Sequence, residues 1–238
     1  ILDITMIVPR PLLRIKSLKE HVYDYLRGQL STGEILPGSE INLEETSRTL
    51  GVSRTPLRDA LLQLEAEGFV TIYPRRRIVV NTLSRQDIHN FYEIIGSLEG
   101  TALLLAFAGI GEPEIRSMEG LIQEMQSAIA ADDFDLYYEK NLELHDVYLN
   151  LSGNEDLVKI VRTLKKRLYD FPRQRGFVKE WELASIEEHR ELLKLIKQKK
   201  PAEAAAYVRD VHWSPRVQAR YIGKYYKTGP ENRETTVE

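Results

Sequence analysis

Two short helical segments joined by a tight turn constrain this chain of 238 residues more than any other feature. Apolar side chains at helical spacing predict helices over residues 43–50 and 54–67, with three residues between them. Gly51 permits a sharp turn, Ser53 is of a type that caps helices, and Pro56 falls in the first turn of the second helix, where its missing N–H is not needed. The run predicts a helix-turn-helix.

A further helix and a β-hairpin flank this motif. Apolar spacing predicts a helix over 17–31, and β-branched runs at 69–73 and 78–81 predict two strands joined by an arginine-rich tip. Three helices followed by a hairpin are typical of a winged helix-turn-helix, which we place at residues 14–81. An N-terminal arm, 1–13, precedes it.

The rest of the chain shows helical patterns alone. We predict helices over 85–108, 112–130, 133–151, 155–171, 179–199 and 202–226. The fold class is therefore mostly α, with a second, all-helical domain at 88–227. A linker over 82–87 joins the domains, and a polar tail covers 228–238.

Composition limits the classes of protein to consider. The absence of cysteine excludes a disulfide framework, thiolate zinc fingers and a cysteine nucleophile. The apolar run from Ile4 to Val8 is too short for a signal peptide or a membrane span, so we expect a cytoplasmic protein without a membrane partner. The formal net charge of −3 means that any nucleic-acid contact needs a local basic patch.

Such patches occur at two places in the predicted winged domain. Polar side chains cluster at the start of the second motif helix, where a recognition helix meets base edges and phosphates in the major groove. Arginines cluster at the hairpin tip, where a wing contacts DNA. The residues are Ser53, Arg54, Thr55 and Arg58 in the helix and Arg75, Arg76 and Arg77 in the wing. The alternative, a helix hairpin with a solvated face, does not account for both patches.

Residues 28–80 also resemble the DNA-binding domain of GntR-type regulators. The resemblance is carried by the turn at 33–38, the run from Gly51 to Leu61, and the run from Leu64 to Val70. It implies that a homodimer binds a short palindromic operator in double-stranded DNA, more often as a repressor than as an activator. Many relatives carry a glycine near the wing tip where this chain has Arg77.

Three histidines lie on separate predicted helices of the second domain. They are His145, His189 and His212, and Asn141 precedes the first by one helical turn. Imidazoles suit zinc, nickel or manganese, and three protein ligands leave coordination positions for a small molecule. From the residues alone, both a metal site and ordinary hydrogen-bonded histidines remain open.

Residues from about 85 to 222 resemble the FCD-type ligand-binding domain of the FadR branch of GntR regulators. The resemblance implies an antiparallel helical bundle that dimerises, and a divalent metal held by one aspartate and three histidines. The three histidines stand at the ligand positions, and Asn141 stands where the aspartate is usual. Losing that negative charge should lower metal affinity.

The resemblance also bears on the effector. Ile95 stands where many relatives carry an arginine facing the pocket, so a carboxylate effector loses its usual clamp. Arg167 is a candidate replacement, although the run from Lys165 to Arg167 otherwise has the pattern of a solvated helix face. We interpret the aromatic cluster of Tyr137, Tyr138 and Tyr148 as bundle core.

Together these features predict a DNA-binding transcriptional regulator controlled by a small metabolite, an organic acid being the leading candidate, and not an enzyme. Two alternatives remain open. One is a hydrolase in which a metal on the three histidines activates water. The other is a metal-free regulator whose histidines line an organic pocket.

Overall fold

The computed structural model describes residues 16–74, 77–170 and 178–225. The predicted arm (1–13), the predicted tail (228–238) and the wing-tip residues Arg75 and Arg76 lie outside the described residues. The chain divides into two compact units between Asn81 and Thr82.

The first unit contains three helices and a hairpin. These are α1 (Leu18–Thr32), α2 (Leu43–Leu50), α3 (Arg54–Ala66), β1 (Val70–Tyr73) and β2 (Arg77–Val80). The strands pair antiparallel, with Val70 opposite Val80 and Tyr73 opposite Arg77. The predicted helix-turn-helix with its wing is confirmed.

The interior of the first unit explains why these helices assemble. α1 packs on α3, and the leucines on their facing sides are almost completely buried. Gly51 ends α2 in the left-handed conformation at φ +64°, which glycine adopts without strain. Ser53 occupies the N-cap position of α3, but its side chain makes no capping hydrogen bond, so the capping role predicted for it is wrong.

The second unit is helical throughout the part that the structure describes. It comprises α4 (Arg85–Ala106), α5 (Glu112–Ala130), α6 (Phe134–Leu151), α7 (Glu155–Asp170), α8 (Lys179–Lys197), α9 (Pro201–Tyr207) and α10 (Pro215–Tyr225). The mostly α prediction is confirmed. α4 begins inside the range predicted as linker, because Ser84 and Asp87 form a capping box. The helix predicted over 202–226 is interrupted by a π-helical segment, Val208–His212.

α4 is the central helix of this unit and packs against α6, α7, α9 and α10. The backbone of the π-helical segment approaches it closely at Gly96, where an added Cβ would lie 3.3 Å from the backbone oxygen of Arg209. The same Cβ would lie 2.8 Å from the Cβ of Trp213, which follows the segment. The helical stretch Arg85–Gly109 has the length and composition of a membrane span, but 50% of its most apolar window is buried inside this unit. That burial is expected of a core helix.

Candidate functional site

The second unit brings three histidines together at its centre. His145 lies on α6, His189 on α8, and His212 ends the π-helical segment. Each ring offers one nitrogen, and these nitrogens all lie within 4.8 Å of one another. The Nε2 atoms of His145 and His189 are 3.2 Å apart, although the residues are 44 positions apart in the chain. The fold therefore assembles the three predicted ligands.

A buried carboxylate orients His145. Its Nδ1 lies 2.8 Å from Glu99 Oε2 and 2.6 Å from the hydroxyl of Tyr148, which itself donates to Glu99. Because an ionised carboxylate can only accept, we assign the ring proton to Nδ1. The Nε2 lone pair then points toward the other histidines, as a metal ligand requires.

A second carboxylate orients His212 in the same manner. His212 Nδ1 lies 2.7 Å from Glu188 Oε2, and the other oxygen of Glu188 accepts a hydrogen bond from Gln218 at 2.8 Å. Gln218 is almost completely buried and also accepts from the indole N–H of Trp181. α10 thus contributes the side chain that holds Glu188 in place.

Burial keeps two of the histidines uncharged. It lowers the pKa of His145 to about 4, against the attraction of Glu99, and holds the pKa of His189 well below its usual value. Both rings are therefore neutral near pH 7. Neutral imidazole is the form that coordinates a metal.

Glu99 is also half of a buried ion pair. Its Oε1 contacts the ammonium of Lys165 on α7, and its Oε2 accepts from the indole N–H of Trp213 at 2.8 Å. Burial raises the pKa of Glu99, but the hydrogen bond from His145 and the positive charge of Lys165 outweigh that effect and hold the pKa well below its usual value. Lys165 is 3% exposed, so its predicted place on a solvated face is wrong.

Asn141 lies one turn from His145 on α6 and is buried. Its side-chain oxygen and the Nδ1 of His189 have no hydrogen-bond partner within the described parts of the chain. Buried polar atoms are normally satisfied, so an unpartnered amide oxygen one helical turn from His145, in the same cavity lining as His212, suits a cation. The donor set, three nitrogens and one neutral oxygen, fits zinc or nickel.

A small cavity adjoins the cluster at His212. Its volume is about 40 Å³, room for about three water molecules. The lining consists of aromatic and polar side chains: Tyr92, Tyr137, Tyr138, Asn141, Tyr169, Trp181, Glu182, Ser185, Glu188, His212, Trp213 and Gln218. An effector larger than a few waters needs these side chains to move.

The structure also places the residues that the sequence analysis considered for the effector pocket and for the bundle core. Arg167 is absent from the described cavity lining, and its guanidinium lies 4.5 Å from the ring centroid of Phe91. Ile95 is buried in the core on α4. Tyr137, Tyr138 and Tyr148 are buried as predicted, and the first two also line the cavity. The contact predicted between Arg167 and an effector gains no support from this placement.

The residues predicted to contact DNA lie on the first unit. Ser53, Arg54, Thr55 and Arg58, at the start of α3, and Arg77, at the start of β2, are all exposed. We call these five residues the DNA-reading surface. A groove of about 680 Å³ between α2, α3 and the hairpin adjoins this surface, and Arg54 and Arg58 are among its lining residues.

Sequence reasoning missed Glu99 and Gln218, and it missed the pairing of Glu188 with His212 and of Lys165 with Glu99. Each acts through a partner on another helix, and a single-residue pattern carries no signal for such a pairing. The capping and periodicity rules that located the histidines describe one helix at a time.

Two family comparisons cover most of the chain. Residues 18–80 match the bacterial regulatory proteins of the gntR family, and residues 90–211 match the FCD domain. The Nta operon transcriptional regulator of Aminobacter aminovorans is 31% identical over 176 residues, which are 72% of this chain and 80% of that protein.

More distant relatives are similar to this chain over both units. The HTH-type transcriptional repressor RspR of Escherichia coli is 25% identical over 160 residues, covering 67% of this chain and 70% of the relative. The solved structure of E. coli McbR/YncC shares the fold with a TM-score of 0.69 at 21% identity, covering 89% of this chain and 98% of that one. Both matched families and these relatives are regulators, not enzymes. The chain therefore belongs to the gntR family of bacterial regulatory proteins, with an FCD domain following its DNA-binding unit.

Proposed function

We propose that this regulator is a cytoplasmic repressor that binds operator DNA as a homodimer. In this proposal a small metabolite, an organic acid in the first instance, binds the second unit beside a divalent metal and changes operator affinity. The observation that carries the proposal is the cluster of three histidines whose ring nitrogens lie within 4.8 Å of one another. A ligand can shift the regulator only if its affinity differs between the two states of the protein.

For DNA contact, the support is the exposed start of α3 in a helix-turn-helix. Arg58→Ala should weaken operator binding by about 1–3 kcal/mol if the guanidinium grips a guanine edge. Arg76→Ala should mainly flatten the salt dependence of binding, because it removes a phosphate contact. Fluorescence anisotropy with a duplex selected from a random library measures both, and Lys200→Ala in the second unit is the control. Parent-like binding by both arginine variants would contradict the proposed contacts.

For the metal, we propose His145, His189 and His212 as nitrogen ligands and Asn141 as an oxygen ligand. When bound, the ion would supply a Lewis acid for an oxygen of the effector. Glu99 and Glu188 hold two of the rings so that Nε2 is free to bind, and burial keeps two of the rings neutral.

Calorimetric titration of metal-stripped protein with zinc and nickel tests the site. Asn141→Asp should bind more tightly because it restores an anionic ligand, whereas Asn150→Asp, exposed on the same helix, should not. A binding stoichiometry near zero with both zinc and nickel would instead favour the metal-free regulator. The hydrolase alternative has no support, because the matched families are regulators.

For the homodimer, the support is an exposed apolar face on α4. Ile94 and Leu105 are both about half exposed, and eleven positions make about three helical turns, so the two side chains share a face. Light scattering on the full chain should give twice the mass of 27.5 kDa. A monomer at micromolar concentration would contradict this part of the proposal.

A further inference from the structure

Two of the three described arginines of the DNA-reading surface are already held by carboxylates of their own unit. Arg54 donates to Glu44 at 2.6 Å, and Arg77 donates to Glu40 at 2.5 Å. Arg58 forms no ion pair with any residue that the structure describes. The predicted DNA contacts are therefore unequal in the free protein.

The pair of Glu44 and Arg54 is fixed by two helix starts. The side chain of Asn42 caps α2 by accepting from the N–H groups of Glu44 and Glu45 at 2.9 and 3.2 Å. Arg54 is the first residue of α3. The Glu44 carboxylate consequently stands at the N-terminus of α2, where the open N–H groups would otherwise favour a phosphate.

The pair of Glu40 and Arg77 is fixed by backbone hydrogen bonds. The segment before α2 runs along β2, with the N–H of Ile41 donating to Ile78 at 2.9 Å and Glu40 bridged to Val79. This pairing sets Glu40 beside the wing strand. Arg77 is the first residue of that strand, and its guanidinium lies 6.0 Å from the ring centroid of Tyr73.

We infer that Glu40 and Glu44 are specificity determinants of the DNA-reading surface, which weaken binding to non-operator DNA more than binding to operator DNA. The inference rests on the proposed operator binding and deepens it. All four side chains are more than half exposed, so each pair is worth about 5-fold or less in affinity and exchanges readily.

The discrimination between operator and other DNA depends on which DNA group replaces the carboxylate as the partner of each arginine. On operator DNA, Arg54 can exchange Glu44 for a bidentate contact with guanine, and the released carboxylate can accept from cytosine N4. On other sequences the arginine gains a phosphate alone, and the repulsion between the carboxylate and the phosphates remains. Two carboxylates among three arginines therefore penalise the sequence-independent mode of binding.

Salt-dependent binding of the full chain tests this inference with two DNA probes. One is the duplex that the parent protein enriches most from a random library, and the other is the same duplex with its bases scrambled. Glu44→Gln and Glu40→Gln should each tighten binding to the scrambled duplex by about 3-fold. For the double variant on the same duplex, the slope of log K against log salt concentration should become steeper by about 1. Binding to the enriched duplex should change by less than about 2-fold.

Glu45→Gln is the matched control, since it removes the same charge from the next residue of α2, which has no ion pair among the described residues. It should produce less than half the effect of Glu44→Gln. Unchanged binding to the scrambled duplex, equal tightening on both duplexes, or weaker binding would each overturn the inference. Failure of the parent to enrich any sequence would instead overturn the proposed operator binding.

Discussion

The two units differ in the exposure of their ion pairs. In the first unit the side chains of Arg54 and Glu44 are 58% and 76% exposed. In the second, those of Lys165 and Glu99 are 4% and 0% exposed. An exposed pair can exchange its partner for a ligand at little cost, whereas a buried pair is held by the whole core.

This difference matches the function proposed for each unit. The DNA contacts proposed for the DNA-reading surface need side chains that can leave one partner for another. The metal site proposed for the histidine cluster needs side chains that keep one geometry, and Glu99 favours this by accepting from His145, Tyr148 and Trp213 together. Four predictions test that contrast.

The largest effect is expected on breaking the buried pair. Lys165→Met leaves Glu99 buried without its ammonium partner and should destabilise the second unit by about 3–5 kcal/mol. Lys166→Met is the control on the next residue, and it should change stability by about 0.5 kcal/mol or less. Denaturant unfolding followed by circular dichroism measures both. Equal effects would mean that the lysine run is a solvated face after all.

The stability of the metal-free second unit should also depend on pH. The pKa of a histidine in the unfolded chain is about 6.5, and that of His145 is lowered by burial to about 4. The unfolded state therefore binds more protons between these values, so stability present above pH 6.5 is lost as pH falls toward 4, by about 3 kcal/mol for this residue.

Calorimetry at pH 7, 6, 5 and 4.5 would follow this loss. The first unit, whose described histidine His21 is exposed, should lose much less over that range. His145→Asn should flatten the profile of the second unit. A parent profile that is already flat between pH 7 and 4.5 would show that the ring is not buried in its neutral form.

A moderate effect is expected where α4 meets the π-helical segment. Gly96→Ala sets a Cβ 2.8 Å from the Cβ of Trp213 and 3.3 Å from a backbone oxygen, which should destabilise by about 1–3 kcal/mol. Gly120→Ala, in the middle of α5 with nothing within 4 Å of the added Cβ, should stabilise by about 0.5–1 kcal/mol. Thermal unfolding gives the direction of the stability change for each variant. Two changes in the same direction would contradict the close packing at Gly96.

The smallest effect on stability is expected at Ser53. Its hydroxyl makes no capping bond, so Ser53→Ala should change stability by only a few tenths of a kcal/mol, whereas Asn42→Ala removes two capping bonds and should cost about 1 kcal/mol. Ser53→Ala should nevertheless weaken operator binding. A stability loss matching that of Asn42→Ala would show that Ser53 does cap α3.

Much of this architecture follows from local patterns. Local signals located every element of the first unit to within about two residues: the helical spacing of apolar residues, Gly51 and the β-branched runs. Each of these signals depends only on the turn, helix face or strand in which it occurs. The histidines could be predicted as metal ligands because the family resemblance implied that role. The break at Val208–His212 was missed, since the apolar spacing continues across it.

What local patterns could not supply is partnership across the fold. The sequence places Lys165 on a solvated face, because burying a lysine depends on the carboxylate of Glu99, which only the packing of α7 against α4 brings into contact. In the sequence, Arg54 and Arg77 look like Arg58. The turn at Gly51 nevertheless gives Arg54 a carboxylate partner, and the segment before α2, which runs beside β2, gives one to Arg77. Sequence decided which helices form and which side chains carry charge; tertiary packing decided which charges meet, because Coulomb energy and desolvation depend on distance in space and not on position in the chain.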